Sequence, residues 1–486
     1  MDAACDVIVV GGGGSGLAAA IEARGLCRDV VLLEKNPALG GSTAWSVGSV
    51  TASGTPHQAR AGIADSAESH WHDMAGFNGD LDARDNPALR RVLAEEMPHT
   101  FRWLLDHGIR FFGPMPEPPH SQPRMHNVLP NSRSFVTHLE KAARRAGVRI
   151  ACGVRATKLV SEQGRVVGVD SETADGTRQF RARGGVVLAT GDFTSDPELK
   201  AQFMGPQEAK IDGVNVTATG DGQKLAVALG ARIVNGDLAL GPELRFVPPQ
   251  KRNLLLSLPP WPMLANLMAW SLDHMPSALL RPFVMSFVTT ALAPSPDLFA
   301  EGAILINNNG QRFTDEGGKP AYALPDQPDK AAYILLDSRM TALFSQWPHF
   351  VSTAPGVAYA YVDDYRRNRP DVYTNGTSLD DLARRLAIPA VALTATVNAH
   401  NAQSNRPLGQ GPYVALGPVR AVFVHAEGGL AVDDEHRVLG EGDIPIPGLY
   451  AAGSTGQGGL LLKGHGHHLG WAFASGRRAG RNAATF

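Results

Sequence analysis

Val7-Ile8-Val9-Val10-Gly11-Gly12-Gly13-Gly14-Ser15-Gly16 is the stretch that decides the fold. Its first four residues are a continuous apolar run, the pattern of a parallel strand buried on both faces. Gly11, Gly13 and Gly16 fit G-x-G-x-x-G, and residues 17–24 after them have helical composition. Residues 29–33 form a second apolar run, closed by Glu34. Strand, glycine turn, helix and strand make a β-α-β unit. In such a unit the first glycine makes the tight turn, the second lets backbone approach a pyrophosphate, and the third lets the helix pack on the sheet. The helix N-terminus offers free N–H groups to the anion. Glu34 stands about where an acidic residue meets a ribose hydroxyl. The stretch predicts a dinucleotide site.

Working outward, the five prolines of 114–123 predict an extended loop, and 134–146 a helix. Residues 148–188 alternate in short strands with turn signals at Gln163-Gly164 and Asp175-Gly176, leading into Ala189-Thr190-Gly191. Gly220-Asp221-Gly222 opens a helix over 223–229. Composition shifts near Leu244, a strand is expected at 303–306, and strand–turn patterns return after Pro412 before a closing helix at 468–481. The pattern implies an α/β fold. A Rossmann-like dinucleotide domain is discontinuous, made of 1–245 and 412–486, and an α+β cap of 246–411 is inserted into it.

The chain has 486 residues, enough for two or three domains. With 45 Lys+Arg against 47 Asp+Glu, no basic excess marks a nucleic-acid binder. The three cysteines, Cys5, Cys27 and Cys152, make neither a disulfide framework nor a zinc set. The N-terminus runs into a strand without the pattern of a signal peptide, so the expected address is the cytoplasm. Residues 253–272 are uncharged and rich in Leu, Met and Trp, but Pro259, Pro260 and Pro262 interrupt them. That excludes a spanning helix. This stretch and the shorter 282–296 are expected to line an apolar pocket or rest on a lipid surface as a peripheral contact, with plain core helices as the alternative.

Further motifs carry a resemblance. Glu34–Thr43, with its second glycine pair, is followed by Ala189-Thr190-Gly191, Thr219–Gly222, Asn309–Phe313, Ile446–Gly453 and Ser475–Gly480. In this order they resemble the FAD-dependent fumarate reductase and 3-ketosteroid dehydrogenase superfamily, nearer the ketone dehydrogenase branch. The resemblance implies one FAD, held without a covalent bond. It carries FAD contacts onto Gly11, Gly13, Gly14, Ser15, Gly16, Glu34, Lys35, Gly41, Ser42, Thr43, Gly48, Val154, Ala189, Thr190, Gly191, Asp221, Gly453, Ser454 and Gly470. No second G-x-G-x-x-G suggests a built-in NAD(P)H site.

The branches differ in chemistry. The fumarate reductase branch grips two carboxylates with His and Arg. Its proton-donating Arg position reads Phe299 here, a histidine position reads Val247, and the closing-loop arginine reads Lys463. Lys is no equal of Arg for bidentate carboxylate binding. His425, three residues before Gly428-Gly429, is retained. The ketosteroid branch uses a tyrosine base after its Arg-Phe-x-x-Glu element, which here points to Tyr322 after Arg312–Glu316. Its carbonyl-anchoring glycine aligns with Gly466, while the partner tyrosine aligns with Leu462, leaving Lys463 or His465 to take that place. A structural, half-buried role is the other reading of Tyr322. His465, His467 and His468 face flavin or substrate, or form a solvated loop, and no metal is expected.

The resemblance implies an FAD-dependent oxidoreductase acting on CH–CH bonds, by α,β-desaturation of an apolar cyclic ketone. Electrons would leave to an external acceptor: a quinone, a flavoprotein or a dye. Two alternatives stand beside it. One is reduction of an activated C=C in an unsaturated acid held by His425 and Lys463. The other is a non-catalytic flavin electron-transfer subunit.

Overall fold

The computed structural model describes residues 3–26, 29–249, 258–275, 281, 285, 288–290, 292–354 and 358–485. Its first sheet runs, in spatial order, Arg437–Leu439, Pro445–Ala451, Gly176–Leu188, Ala3–Val10, Val30–Glu34 and Arg149–Cys152. The central pairs are parallel, with Val7 opposite both Val30 and Gly185. Arg155–Glu162 and Arg165–Thr173 add antiparallel strands to Gly176–Leu188. Val7, Ile8, Val9, Leu32 and Leu33 are fully buried. Each such side chain contributes about 1.5–3 kcal/mol by leaving water.

Helix Gly14–Leu26 links the first two strands, and the last helix, His467–Ala484, lies across it. Small residues make that crossing possible. A Cβ on Gly476 would meet the Ser15 carbonyl at 2.3 Å, and one on Gly480 the Ala19 carbonyl at 2.2 Å. The end of the chain is thereby clamped onto its beginning.

A second sheet is ordered Asp212–Gly213, Tyr413–Phe423, Ala332–Leu336 and Ile304–Asn307, with Glu243–Phe246 and Tyr373–Gly376 also on Tyr413–Phe423. This corrects the expected boundaries. Tyr413–Phe423, assigned from sequence to the dinucleotide part, pairs with four strands of the second sheet. Asp212–Gly213 and the start of Glu243–Phe246, placed before the boundary at 245, lie there too. A buried strand has the same apolar pattern in either sheet, so periodicity does not say which sheet it joins. The chain rejoins the first sheet at Arg437–Leu439. A third, small sheet joins Ser49–Thr51, Met125–Leu129 and Arg110–Met115. Pro114 belongs to its last strand, so the expected proline loop begins later.

Of the apolar stretches, residues 253–257, 282–284, 286, 287 and 291 lie outside the described residues. The rest of the first is helix Pro262–His274, with Pro262 at the first helical position, where its missing N–H costs nothing. Met263 is 85% exposed, so this helix lies on the surface rather than lining a pocket. No described helix is long and apolar enough to cross a membrane.

Candidate functional site

The glycine turn is built as the motif requires. Gly11 has φ +108°, and a Cβ there would meet the Ala189 carbonyl oxygen at 2.2 Å. A Cβ on Gly16 would stand 1.8 Å from the Gly11 carbonyl oxygen. Gly13 differs. A Cβ there would only touch the Gly40 carbonyl oxygen at 3.8 Å and Thr43 Oγ1 at 4.0 Å, an ordinary contact, so sterics alone do not require this glycine. Gly191 (φ +83°) faces open space. The Glu34 carboxylate is buried and accepts from Gly12 N at 2.7 Å and from Asn36 N and Nδ2 at 2.8 Å. It therefore ties the turn to the second strand.

The second glycine pair closes on the first. Gly40 N donates to the Gly12 carbonyl at 2.9 Å, and Gly14 N to Thr43 Oγ1 at 3.0 Å. A Cβ on Gly41 would be 3.8 Å from Gly13 Cα. Asn215 Nδ2 donates to Ser42 Oγ, and Lys35 Nζ donates to Thr219 Oγ1 and Asp221 Oδ2. Val154 N donates to the Glu34 carbonyl at 2.9 Å. Ala189 N donates to the Val10 carbonyl, and the Thr190 hydroxyl accepts from Gly222 N. Gly453 N donates to Ser475 Oγ, and a Cβ on Gly453 would meet Ser15 Oγ at 2.7 Å. Ser454 follows in the same turn. Gly470 lies in the first turn of the last helix. These residues converge, and the open space over Gly191, with the uncrowded middle glycine of the turn, fits a diphosphate-bearing cofactor. At Gly48 packing also demands glycine: a Cβ on it would meet Val128 Cγ1 at 2.4 Å.

The expected catalytic residues divide into groups. His425, on a two-residue strand paired with Ala239–Leu240, is buried among polar side chains. Its Nδ1 is 3.3 Å from Asp192 Oδ2, and its Nε2 is 3.2 Å from Gln457 Oε1. Gln457 Nε2 donates to Glu427 Oε2 and to the Leu460 carbonyl. The His468 ring lies 3.9 Å from the His425 ring, centroid to centroid, and His468 Nε2 is 3.6 Å from Glu427 Oε1. Burial pushes the His425 pKa down, but the bond to Asp192 and the charges of Asp192 and Glu427 outweigh it, and the net shift is upward. Burial raises Asp192, but its bonds to His425 and Thr194 hold it below the ordinary carboxylate value. Glu427 is brought to about 2 against burial, first by His468 and then by His425. His468 falls, through burial and the neighbouring His425. The shifts therefore favour a charged His425 beside two carboxylates, with His468 driven toward its neutral form.

Lys463, His465 and Gly466 sit in the loop entering the last helix. The Lys463 carbonyl accepts from His467 Nδ1 at 2.6 Å. His465 turns outward to Glu117, whose Oε1 accepts from both its Nδ1 and its backbone N–H; that contact, working against burial, raises its pKa. Gly466 (φ +89°) caps the last helix, and a Cβ on it would meet Thr51 N at 2.6 Å. An alanine there would strike strand Ser49–Thr51. Tyr322 sits in the short helix Pro320–Ala323, where its carbonyl accepts from Gln207 Nε2 and Lys319 Nζ lies 5.6 Å from its ring. Burial, and then the charge of Glu208, push its pKa up. A tyrosinate base would need the opposite. The residue that the structure places against His425 is His468. Asp192, Glu427 and Gln457 were not expected from the sequence, and only their place beside the Gly191 and Gly428-Gly429 motifs could have signalled them.

A second histidine group is buried under the helix start. The ring nitrogens of His70, His120 and His467 lie within 4.8 Å of one another. Buried Arg124, held by Asp65 and Asp73, donates to His120 Nδ1 at 3.0 Å. The proton of neutral His120 is thereby placed on Nε2, so neither of its ring nitrogens offers a free lone pair in this arrangement. Burial keeps all three rings neutral, with His120 near about 3 and His467 near about 4.

Residues 6–251 and 274–461 match the family described as FAD binding domain. The NADH:fumarate oxidoreductase of Klebsiella pneumoniae (strain 342) is 25% identical over 473 residues, covering 93% of this chain. The chain spans only 44% of that relative's length. An open conformation of a flavocytochrome c3 fumarate reductase matches the structure with a TM-score of 0.73 at 24% identity, over 99% of this chain and 78% of that one. The 3-ketosteroid delta1-dehydrogenase from Sterolibacterium denitrificans, in complex with 1,4-androstadiene-3,17-dione, matches at 0.67 and 19% identity, over 99% of both chains. At these identities the structural likeness establishes the fold. The chain belongs to the FAD binding domain family, has the fold shared by fumarate reductases and 3-ketosteroid dehydrogenases, and takes FAD as its cofactor.

Proposed function

We propose that the chain is an FAD-dependent oxidoreductase that interconverts the saturated and α,β-unsaturated forms of an uncharged, apolar ketone. It runs as a desaturase when an external acceptor removes the electrons. The observation that carries this reading is the pair of buried carboxylates, Asp192 and Glu427, on either side of His425. A substrate carboxylate brought to His425 would meet two negative charges balanced by at most one positive charge. Two like charges about 4 Å apart repel by about 4 kcal/mol at an effective dielectric of about 20. A ketone oxygen carries no such penalty.

FAD supplies the hydride acceptor. The protein's own part is the proton. With His468 Nε2 turned to Glu427 and shielded from solvent, the open nitrogen of that neutral ring is Nδ1. Nδ1 is the base that takes the α-proton. Glu427 orients the ring and stabilises its charged form, the role of a carboxylate behind a catalytic histidine. The N-terminus of helix His467–Ala484 favours the developing enolate oxygen.

The test is anaerobic. Oxidised protein is mixed with saturated cyclic ketones and, separately, with succinate, while flavin absorbance is followed. Bleaching by a ketone and not by succinate is expected. Fumarate turnover with a reduced dye as fast as that of any cyclic enone would reject the reading.

A further inference from the structure

Helix Pro262–His274 turns its apolar side outward. Met263, Leu267 and Trp270 follow at i, i+4 and i+7, which makes one stripe, and are 85%, 58% and 55% exposed. Trp261, just before the helix, is 64% exposed. The opposite side, with Ala265 buried, rests on strands Arg110–Met115 and Met125–Leu129. Two bonds hold the entry to the helix: His138 Nε2 with the Pro260 carbonyl at 3.1 Å, and Asn131 Nδ2 with the Leu258 carbonyl at 3.3 Å. Next to Asn131, Ser132 Oγ donates to the Ala44 carbonyl, and the following residue, Trp45, is 71% exposed. Trp45 and Trp261 therefore flank the same corner of the chain.

The rim of this face is basic. Exposed Arg133 follows the corner directly. Lys141 and Arg110 lie close enough to His138 to lower its pKa, after burial. Arg133, His138 and Lys141 lie on helix Arg133–Ala146, whose one acid, Glu140, is paired with Arg144. Exposed tryptophans and aliphatic groups on a short surface helix, ringed by cations, are the chemistry of the headgroup layer of a membrane. There indole rings settle at the interface and cations meet lipid phosphates. Two copies of the chain brought together through this face would set its cations against each other.

We propose that this face docks on an anionic lipid bilayer, with helix Pro262–His274 lying in the headgroup plane along its length of about 20 Å. The FAD-loaded chain is sedimented with vesicles of phosphatidylcholine alone or mixed with phosphatidylglycerol, without substrate, so the result does not depend on turnover. Sedimentation with the mixed vesicles is expected, with little on phosphatidylcholine alone. Leu267→Glu with Trp270→Glu should lower the partition coefficient by about tenfold or more. Arg133→Gln should lower it by about fivefold. Both variants should keep wild-type FAD content, because they change exposed side chains only. Equal partition on the two vesicle types, no partition on either, or a lipid-free dimer abolished by Leu267→Glu would overturn the proposal.

Discussion

The glycine turn at Gly11–Gly16 and the cluster around His425 are both buried, polar and central, yet they are assembled in opposite ways. The turn draws on six consecutive residues and Glu34. Its geometry comes from missing side chains: a Cβ on Gly16 would stand 1.8 Å from backbone. The cluster draws on Asp192, His425, Glu427, Gln457 and His468, and its geometry comes from side chains that satisfy one another. A local device of this kind fails by steric clash, whereas an assembled one fails by leaving a charge without its partner.

The largest effect should come from breaking the turn. Gly16→Ala puts a methyl into the Gly11 carbonyl and should abolish folded protein, read as loss of soluble expression and cooperative melting. Gly13→Ala makes only ordinary contacts, with Gly40 at 3.8 Å and Thr43 at 4.0 Å, and should keep the cofactor-free melting temperature within a few degrees. It should nonetheless lose most FAD, read as flavin absorbance per protein. If both variants bind FAD, the turn is not the phosphate seat.

Asp192→Asn tests the cluster through an orphaned charge. Removing one partner of a buried ion pair costs about 3 kcal/mol. The sign follows from the two shifts. Asp192 lies below its ordinary value, so its contribution is present above the unfolded carboxylate pKa of about 3.9 and is lost as pH falls through the folded one. His425 lies above its ordinary value. Its contribution is complete below about 6.5 and is lost as pH rises through the folded pKa. The stability gap between wild type and variant should therefore be widest between about pH 4 and 6.5 and shrink on either side. Denaturant melts across that range check it; a gap independent of pH would show that the pair is not ionic.

His468→Gln should keep FAD and slow ketone-driven flavin reduction by about a hundredfold, the usual worth of a positioned base. Tyr322→Phe is the smallest expected effect, under about twofold. Its hydroxyl stands near Glu208 and its pKa is raised by burial first, so it is poorly suited to take a proton. Stopped-flow reduction of the two variants side by side decides between them. A hundredfold loss in Tyr322→Phe with none in His468→Gln would reverse the assignment.

Residue order alone was enough for whatever depends on neighbours along the chain. Val7–Gly16 and Glu34 specify strand, turn, helix and strand because apolar periodicity and missing Cβ atoms are local properties. Motif order along the rest of the chain was enough for the FAD family. Tertiary structure decided the rest. It moved Tyr413–Phe423 into the second sheet, since a buried strand carries no mark of which sheet it will join. It placed His468, in the first turn of the closing helix, against His425, a contact between residues more than forty apart in the chain. It set Asp192 and Glu427 beside that pair across more than two hundred residues of chain. Electrostatic partnership is a matter of distance in space, and only the folded chain determines that distance.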